Sequence, residues 1–415
     1  MEDQRIKAKY LIETSFELEA AAEIMAGEQS CGTFVRVPGE TDELREQFSA
    51  RVESIEETGQ VATPTLAGAK TKPNAPIRRA IVELSWPFHN VGANLPNLMA
   101  TVAGNLYELA PFSGLKLLDI DIPQAFTQKY PGPQFGIEGT RKLTKVYNRP
   151  IIGTIIKPSV GLTAEATAAQ VKILIEAGLD FIKDDELMGD APHSHFEKRV
   201  ELCMDVINRY ADKKGKKPMF AFNISGDIDD MQRRHDYVLK RDGTCIMLSI
   251  NHVGISGITK IRQHSQLPIH GHRNFWGALS RSEVLGLEFT AYQKIWRLAG
   301  IDHLHTNGIR NKFCESDESV IRSVKACLKP LLGGYEIMPV ISSGQWAGQA
   351  VDTYKAINSA DVMYVCGGGI VAHPDGIAAG VQSIIQAWEA AIQGKSLVDY
   401  GKTHPELEKA LEYYG

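Results

Sequence analysis

The sequence predicts an α/β chain: a (β/α)8 TIM barrel over residues 141–415, preceded by a small α+β domain over residues 1–140. Three observations carry this reading. The 415 residues exceed one ordinary domain, so a long unit and a shorter one are expected. From Pro150 onward, short β-branched runs alternate with amphipathic helical stretches, the mark of βα units around a parallel sheet. The residues that close those runs are charged, polar or glycine, as they are where a barrel presents its strand ends.

Taken in order, residues 5–13 alternate as a strand does, and residues 17–25 are rich in Ala and Glu and read as a helix. Further strands are expected at 78–85 and 116–122, which gives the first domain a ferredoxin-like α+β character. Residues 59–76 are poor in large apolar side chains and rich in Gly, Pro, Thr and Ala, so a mobile exposed loop is expected there. The barrel strands are placed at 151–157, 180–183, 219–223, 245–250, 267–271, 303–305, 337–341 and 362–366. Helices follow them, for example 164–177, stopped by Gly178, and 378–391 near the end. A doubly wound sheet is the alternative that the same alternation permits; the chemistry of the strand ends argues for the barrel.

Composition narrows the function. Lys plus Arg total 45 against 50 Asp plus Glu, a net charge of −5, which lacks the basic excess of a general nucleic-acid binder. With 43% hydrophobic and 23% charged residues the chain is globular rather than disordered. Residues 1–5 carry no apolar signal core, and no apolar run approaches the ~18 residues of a membrane span, so a soluble cytoplasmic protein with no membrane partner is expected. The six cysteines form no CxxC pair, which suggests reduced thiols rather than a disulfide framework or zinc cage.

The strand ends read Lys157, Lys183-Asp184-Asp185-Glu186, Asn223, Asn251-His252, His272-Arg273, His305, Ser342-Ser343-Gly344 and Gly367-Gly368-Gly369. Carboxylates aimed together into a mouth repel one another unless a hard divalent cation such as Mg²⁺ offsets their charge. A lysine beside them fits if it is salt-bridged, or if CO₂ converts it to a carbamate and so to a third anionic ligand. The same tetrapeptide also suits a solvated strand exit. Backbone amides of the triple-glycine turn suit a phosphate, as do Ser342, Ser343 and Gly344 after the seventh strand. Arg273 and His305 suit a second anionic group, or else a structural ion pair and a backbone hydrogen bond. His303 faces the same way as His305 and is expected to pack or to tether a neighbouring helix. Lys312 lies in a polar, glycine-containing loop suited to a lid. Trp276, Trp296 and Trp346 read as packing residues.

These segments resemble the RuBisCO large-subunit superfamily. The resemblance rests on residues 153–162 (GTIIKPSVGL) and 178–186 (GLDFIKDDE), and it continues through 271–273, 302–305, 339–344 and 367–374. It extends to 27–33 and 104–106 in the first domain. What it implies is specific. Lys183 would be carbamylated and bind Mg²⁺ with Asp185 and Glu186. Lys157 would handle protons at the substrate carbon, with His272 beside it. Arg273, His305 and Ser342 would hold one anionic end of a phosphorylated substrate. Gly344, Gly368 and Thr33 would hold a phosphate, with Ser343 and Gly367 beside them, and Lys312 would be the lid lysine. Glu28, Thr33 and Asn105 would reach the active site of the partner subunit in a homodimer or a higher oligomer built from it.

Four positions depart from the carboxylating members: Ser159 for a lysine, Ile155 for a threonine, Phe34 for a tryptophan and Trp276 for a histidine. They ring the carbon that CO₂ would join, so the chain resembles a RuBisCO-like protein rather than a carboxylase. Retention of Lys312, His272 and Arg273 favours an anionic substrate. The implied reaction is enolate formation from a phosphorylated keto sugar acid: decarboxylation, or carboxyl transfer with hydrolysis, of a 3-oxo-isoapionate 4-phosphate type compound. The alternatives are a diketone-phosphate enolase or methylthioribulose-phosphate isomerase of methionine salvage, a true ribulose-bisphosphate carboxylase, and a non-catalytic phosphate sensor.

Overall fold

The computed structural model describes residues 4–32 and 37–415. Contacts divide the chain into two compact units: residues 1–131 with 275–298, and residues 132–274 with 299–415.

The first unit is a five-stranded sheet. Strands β1 (Arg5–Thr14), β2 (Arg51–Val61), β3 (Ile77–Pro87) and β4 (Phe112–Asp121) stand in the order β4-β1-β3-β2, all antiparallel. With helices Leu18–Glu28 and Leu95–Ala103 in the connections, this is the ferredoxin-like arrangement. A fifth strand, β10 (Leu285–Leu287), joins from far along the chain and pairs parallel with β4. Of the loop expected over residues 59–76, residues 62–76 have neither helix nor strand, whereas 59–61 are the end of β2, paired with β3; the loop is tethered at two points. Thr65 donates twice to the buried carboxylate of Glu13, both at 2.7 Å, and Lys70 N–H donates to Ala110 O at 2.7 Å. Burial would raise the pKa of Glu13; bonds from Ser113, Thr65 and Arg79 outweigh it and hold the group below the usual carboxylate range.

The second unit is a closed barrel of eight parallel strands: β5 (Ile151–Ile155), β6 (Phe181–Lys183), β7 (Met219–Asn223), β8 (Cys245–Ser249), β9 (Ile269–His272), β11 (His303–His305), β12 (Met338–Ile341) and β13 (Met363–Val365). All eight lie where the alternation places them. Inward residues Ile151, Phe181, Met219, Ala221, Cys245, Met247, Met338, Val340, Met363 and Val365 form one buried cluster. Helix Ala164–Glu176 shows why the local predictions hold: Thr163 caps its first turn through Ala166 N–H at 3.2 Å, and Gly178 beyond its end takes a positive φ of 95°.

The division differs from the expected break at 140/141 in two places. Helix Gly136–Thr144 belongs with the barrel, because Phe135 and Gly136 N–H groups bond Asp302 at the start of β11, at 2.6 and 3.0 Å. Residues 275–298 belong with the first sheet, because β10 extends that sheet and Lys116 Nζ donates to Ser282 O at 2.8 Å.

Candidate active site

The pleat of β6 explains which member of Lys183-Asp184-Asp185-Glu186 points where. Alternate residues share a face, so Phe181, Lys183 and Asp185 turn inward while Asp184 turns out. Asp184 is taken by the buried Arg199 of helix Phe196–Lys214 at 3.3 Å and by Asn223 N–H at 3.0 Å. The carboxylates left for a ligand are Asp185 and Glu186, the two the family resemblance implies.

Lys183 is 1% exposed and donates to Asp184 O at 2.8 Å and to Glu186 Oε2 at 3.2 Å. Burial pushes its pKa down, against the pull of Glu186 and Asp185. Glu186 is opposite: burial alone would raise it, but Lys183, through its charge and its hydrogen bond, holds it well below the usual carboxylate range. His272 Nε2 lies 3.4 Å from Glu186, and burial with the nearby Lys183 keeps the ring well below its ordinary pKa and so neutral. Lys157, half exposed at the end of β5, bonds Asp185 Oδ2 and Ser159 Oγ, each at 2.7 Å. Asn223 supports the tetrapeptide from below, donating to Glu186 O at 3.2 Å.

Around the rim, His272 and His305 rings lie 4.5 Å apart, and His305 Nδ1 is 3.0 Å from Ser342 Oγ. Arg273 is buried and bonded to Glu315 at 2.8 Å. Glu315 in turn accepts from Asn307 Nδ2 at 2.7 Å and Ser319 Oγ at 2.9 Å. Glu315 and Asn307 are site residues that the sequence reading missed, and nothing local to either marks them. Ser343 and Gly344 hold consecutive positive φ values of 74° and 80°, and Ser343 Oγ bonds Asn307 Oδ1 at 2.8 Å. A non-glycine residue held there is the kind of strain found at ligand sites. Lys312 is exposed, its ammonium 5.2 Å from the Phe313 ring centroid, and its backbone N lies 3.7 Å from where a Gly344 Cβ would stand.

Open space adjoins Gly367 and Gly368, whereas a Cβ on Gly369 would strike Gln345 O at 2.4 Å. Gly369 is therefore glycine for packing, and the first two leave room for a ligand beside helix-start N–H groups that have no partner within a helix. Asn105, in the first unit, bonds Glu28 Oε1 at 3.1 Å. Thr33 and Phe34 lie outside the described residues. The three tryptophans pack, Trp276 against Tyr292 with centroids 4.5 Å apart, Trp296 buried, and Trp346 against Tyr414 at 5.4 Å.

A further cluster, His235, Asp236 and His264, sits on the outer helices. Gln266 N–H faces His235 Nε2 at 3.3 Å, so the ring proton belongs on Nδ1, 2.9 Å from Asp236. That tautomer makes a hydrogen-bonded triad rather than a cation site.

A closed eightfold barrel whose C-terminal rim gathers lysines, carboxylates, histidines and an arginine defines a TIM-barrel enzyme. Residues 136–414 match the ribulose bisphosphate carboxylase large chain catalytic domain, and residues 2–126 match the N-terminal domain of that chain. The chain belongs to the RuBisCO large-chain family, as a RuBisCO-like protein. It is 50% identical over 99% of both chains to a 3-oxo-isoapionate-4-phosphate transcarboxylase/hydrolase of Xanthobacter autotrophicus. It is 44% identical to a 3-oxo-isoapionate-4-phosphate decarboxylase of Rhizobium rhizogenes, over 98% of this chain and 97% of that one. A crystal structure of a RuBisCO-like protein from Burkholderia fungorum superposes with a TM-score of 0.93 at 44% identity, covering 99% of this chain and 100% of the other. Among the described residues, no helix is long and apolar enough to cross a membrane.

Proposed function

We propose that this chain acts on a phosphorylated β-keto sugar acid of the 3-oxo-isoapionate 4-phosphate type, either releasing CO₂ or transferring the carboxyl group with hydrolysis. The observation that carries the reading is the charge at the mouth. Lys157, Arg273 and Lys312 are three cations beyond Lys183, enough to meet a substrate with anionic groups at more than one position. The 50% identity to the transcarboxylase/hydrolase supports the same substrate class.

Lys183, Asp185 and Glu186 suit Mg²⁺ once the lysine is a carbamate. Carbamylation needs a neutral amine, and burial lowers the Lys183 pKa toward one. The change exchanges one positive charge for a negative one, and leaves an all-oxygen set of hard ligands. Bound there, the cation supplies a fixed positive charge for the oxygen that becomes negative as an enolate forms.

The chain's own groups divide the remaining work. The bond from the β-keto acid carbon to its carboxyl group breaks, and the electron pair is taken up as the enolate. The Lys157 ammonium, held by Asp185 and Ser159, is placed to return a proton to that carbon. Arg273, fixed by Glu315, takes one anionic end, with His305 and Ser342 beside it. The Gly344 and Gly367-Gly368 turns take the phosphate. Lys312 covers the departing carboxylate. The protein works in the cytoplasm as a homodimer, with Thr33, Asn105 and Glu28 completing the partner's site.

The deciding assay supplies substrate labelled with ¹³C in the carboxyl group, together with Mg²⁺ and bicarbonate. Label appears as free CO₂ in a decarboxylase and in a second organic product in carboxyl transfer. If neither appears, and deuterium instead exchanges into a diketone phosphate, the methionine-salvage enolase takes its place. Activity unchanged after chelation of divalent metal would refute the magnesium assignment.

A further inference from the structure

One wall of the barrel interior is polar. Beside the cluster of aliphatic, aromatic and sulfur side chains that the other strands contribute, β9 and β11 place His270, His303 and His305, all buried. The three rings are connected in a line. Ser342 Oγ lies 3.0 Å from His305 Nδ1; His305 Nε2 lies 2.9 Å from His270 Nε2; His270 Nδ1 lies 3.3 Å from His303 Nδ1. His303 Nε2 then meets Thr140 Oγ1 at 2.8 Å, and Thr140 Oγ1 meets Gly136 O at 2.5 Å, both within helix Gly136–Thr144. His303 thus tethers a neighbouring helix, as the sequence reading expects.

Counting protons along this line gives it a direction. A carbonyl has no proton to give, so the Thr140 hydroxyl must donate to Gly136 O. Its oxygen must then accept from His303, which places the His303 proton on Nε2. A neutral imidazole carries one N–H, so His303 Nδ1 accepts, and His270 holds its proton on Nδ1. His270 Nε2 therefore accepts from His305 Nε2–H, and His305 Nδ1 accepts from the Ser342 hydroxyl. The reverse order would set two oxygen lone pairs against each other at 2.5 Å between Thr140 and Gly136. Neutrality of all three rings follows from burial, which pushes His303 to about 3 and His270 and His305 well below the ordinary value.

We propose that Thr140 is a positioning residue: it fixes the tautomers of His303, His270 and His305, so that Ser342 faces the mouth as a hydrogen-bond acceptor and takes a substrate hydroxyl. The tautomer chain stands on geometry alone, while the hydroxyl rests on the substrate class proposed above. Within the Arg273, His305 and Ser342 group, Arg273 is then the partner of negative charge, and the serine reads a neutral polyol position beside it.

The test is long-range ¹H–¹⁵N correlation on full-chain protein labelled at histidine. The expected result is Nδ1–H on His270 and Nε2–H on His303 and His305; a proton on His270 Nε2 would overturn the proposal without any variant. Thr140→Val removes the anchor and is expected to move both His270 nitrogens toward averaged shifts. Thr140→Ser restores the wild-type pattern. An unaltered pattern in Thr140→Val would sink the positioning role, and the wild-type and serine spectra still decide if the valine variant fails to fold. With the phosphorylated β-keto acid, Thr140→Val is expected to raise KM about tenfold with kcat little changed, the loss of one hydrogen bond. Altered tautomers with unchanged KM would refute the hydroxyl contact. Wild-type protein that shows the tautomers but moves the labelled carboxyl group neither to CO₂ nor to a second organic product would break the substrate assignment and leave the relay standing.

Discussion

The two ends of the barrel use the same residue types for opposite purposes. At the N-terminal end, Asp180 and Asp302 each stand just before an inward strand residue, fully buried and saturated with donors. Asp180 binds Arg149 and Lys216, each with a closest contact of 2.5 Å, and accepts from Ile152 N–H at 2.9 Å. Asp302 binds Arg262 at 3.0 Å and three backbone N–H groups, of Phe135, Gly136 and Ile269. At the C-terminal end, Lys183, Lys157, Asp185, Glu186 and His272 share a few contacts among them, and Lys157 is half exposed. The lesson is that a buried charge closed off by partners holds the fold, whereas charges that exchange partners at a rim are available for chemistry.

That contrast breaks most sharply at Lys183. Lys183→Ala is expected to lower kcat/KM on the order of 10³-fold or more, with the midpoint of thermal unfolding little changed; the rate is read in the ¹³C assay and the midpoint by calorimetry. Retained metal-dependent activity would remove the lysine from the mechanism. Asp302→Ala should do the reverse, costing about 3–5 kcal/mol by leaving buried Arg262 and three N–H groups without their acceptor, as measured by urea unfolding. Activity per folded molecule should be intact.

Asp180→Asn is the milder floor variant, at about 3 kcal/mol near neutral pH because Arg149 and Lys216 keep some solvent. Its pH dependence has a definite sign. Burial would raise the Asp180 pKa, but Arg149 and Lys216 outweigh it, so the folded value lies below the unfolded one of about 3.9. The stabilisation is therefore complete above about pH 4 and fades as pH falls through the folded value, so wild type and variant should converge in acid. A gap independent of pH would mean that packing, not charge, is at work. The smallest effect is expected from Glu315→Gln, which keeps the shape but weakens the hold on Arg273: a rise in KM of about tenfold, with kcat changing less. Equal loss in both would give Glu315 a more direct role.

The barrel was legible because short, mostly apolar runs alternate with amphipathic helical stretches and close in Gly, Lys, His, Ser or Asn. Strand β2 carries no such signal: its residues are exposed or half-buried along its whole length, so neither face reads as apolar. Strand β10 is three residues whose only reason to be a strand is β4, more than 160 residues earlier. The site divides in the same way. Lys183, Asp185 and Glu186 sit together in the chain and were readable, as were the rim residues that close strands. Arg199, Glu315 and Thr140 act through space, and nothing in their neighbours announces it. Asp184 shows the limit of composition, since pleating alone removes it from the carboxylate set.

Strand β10 has an outcome for biosynthesis. Until residues 285–287 leave the ribosome, β4 is the outer margin of the first sheet, and seven of its ten residues are buried in the finished molecule. A fragment ending near residue 131 would keep that margin uncovered, and such a strand recruits other chains. The nascent polypeptide must therefore protect its earliest sheet until more than half the barrel has been made.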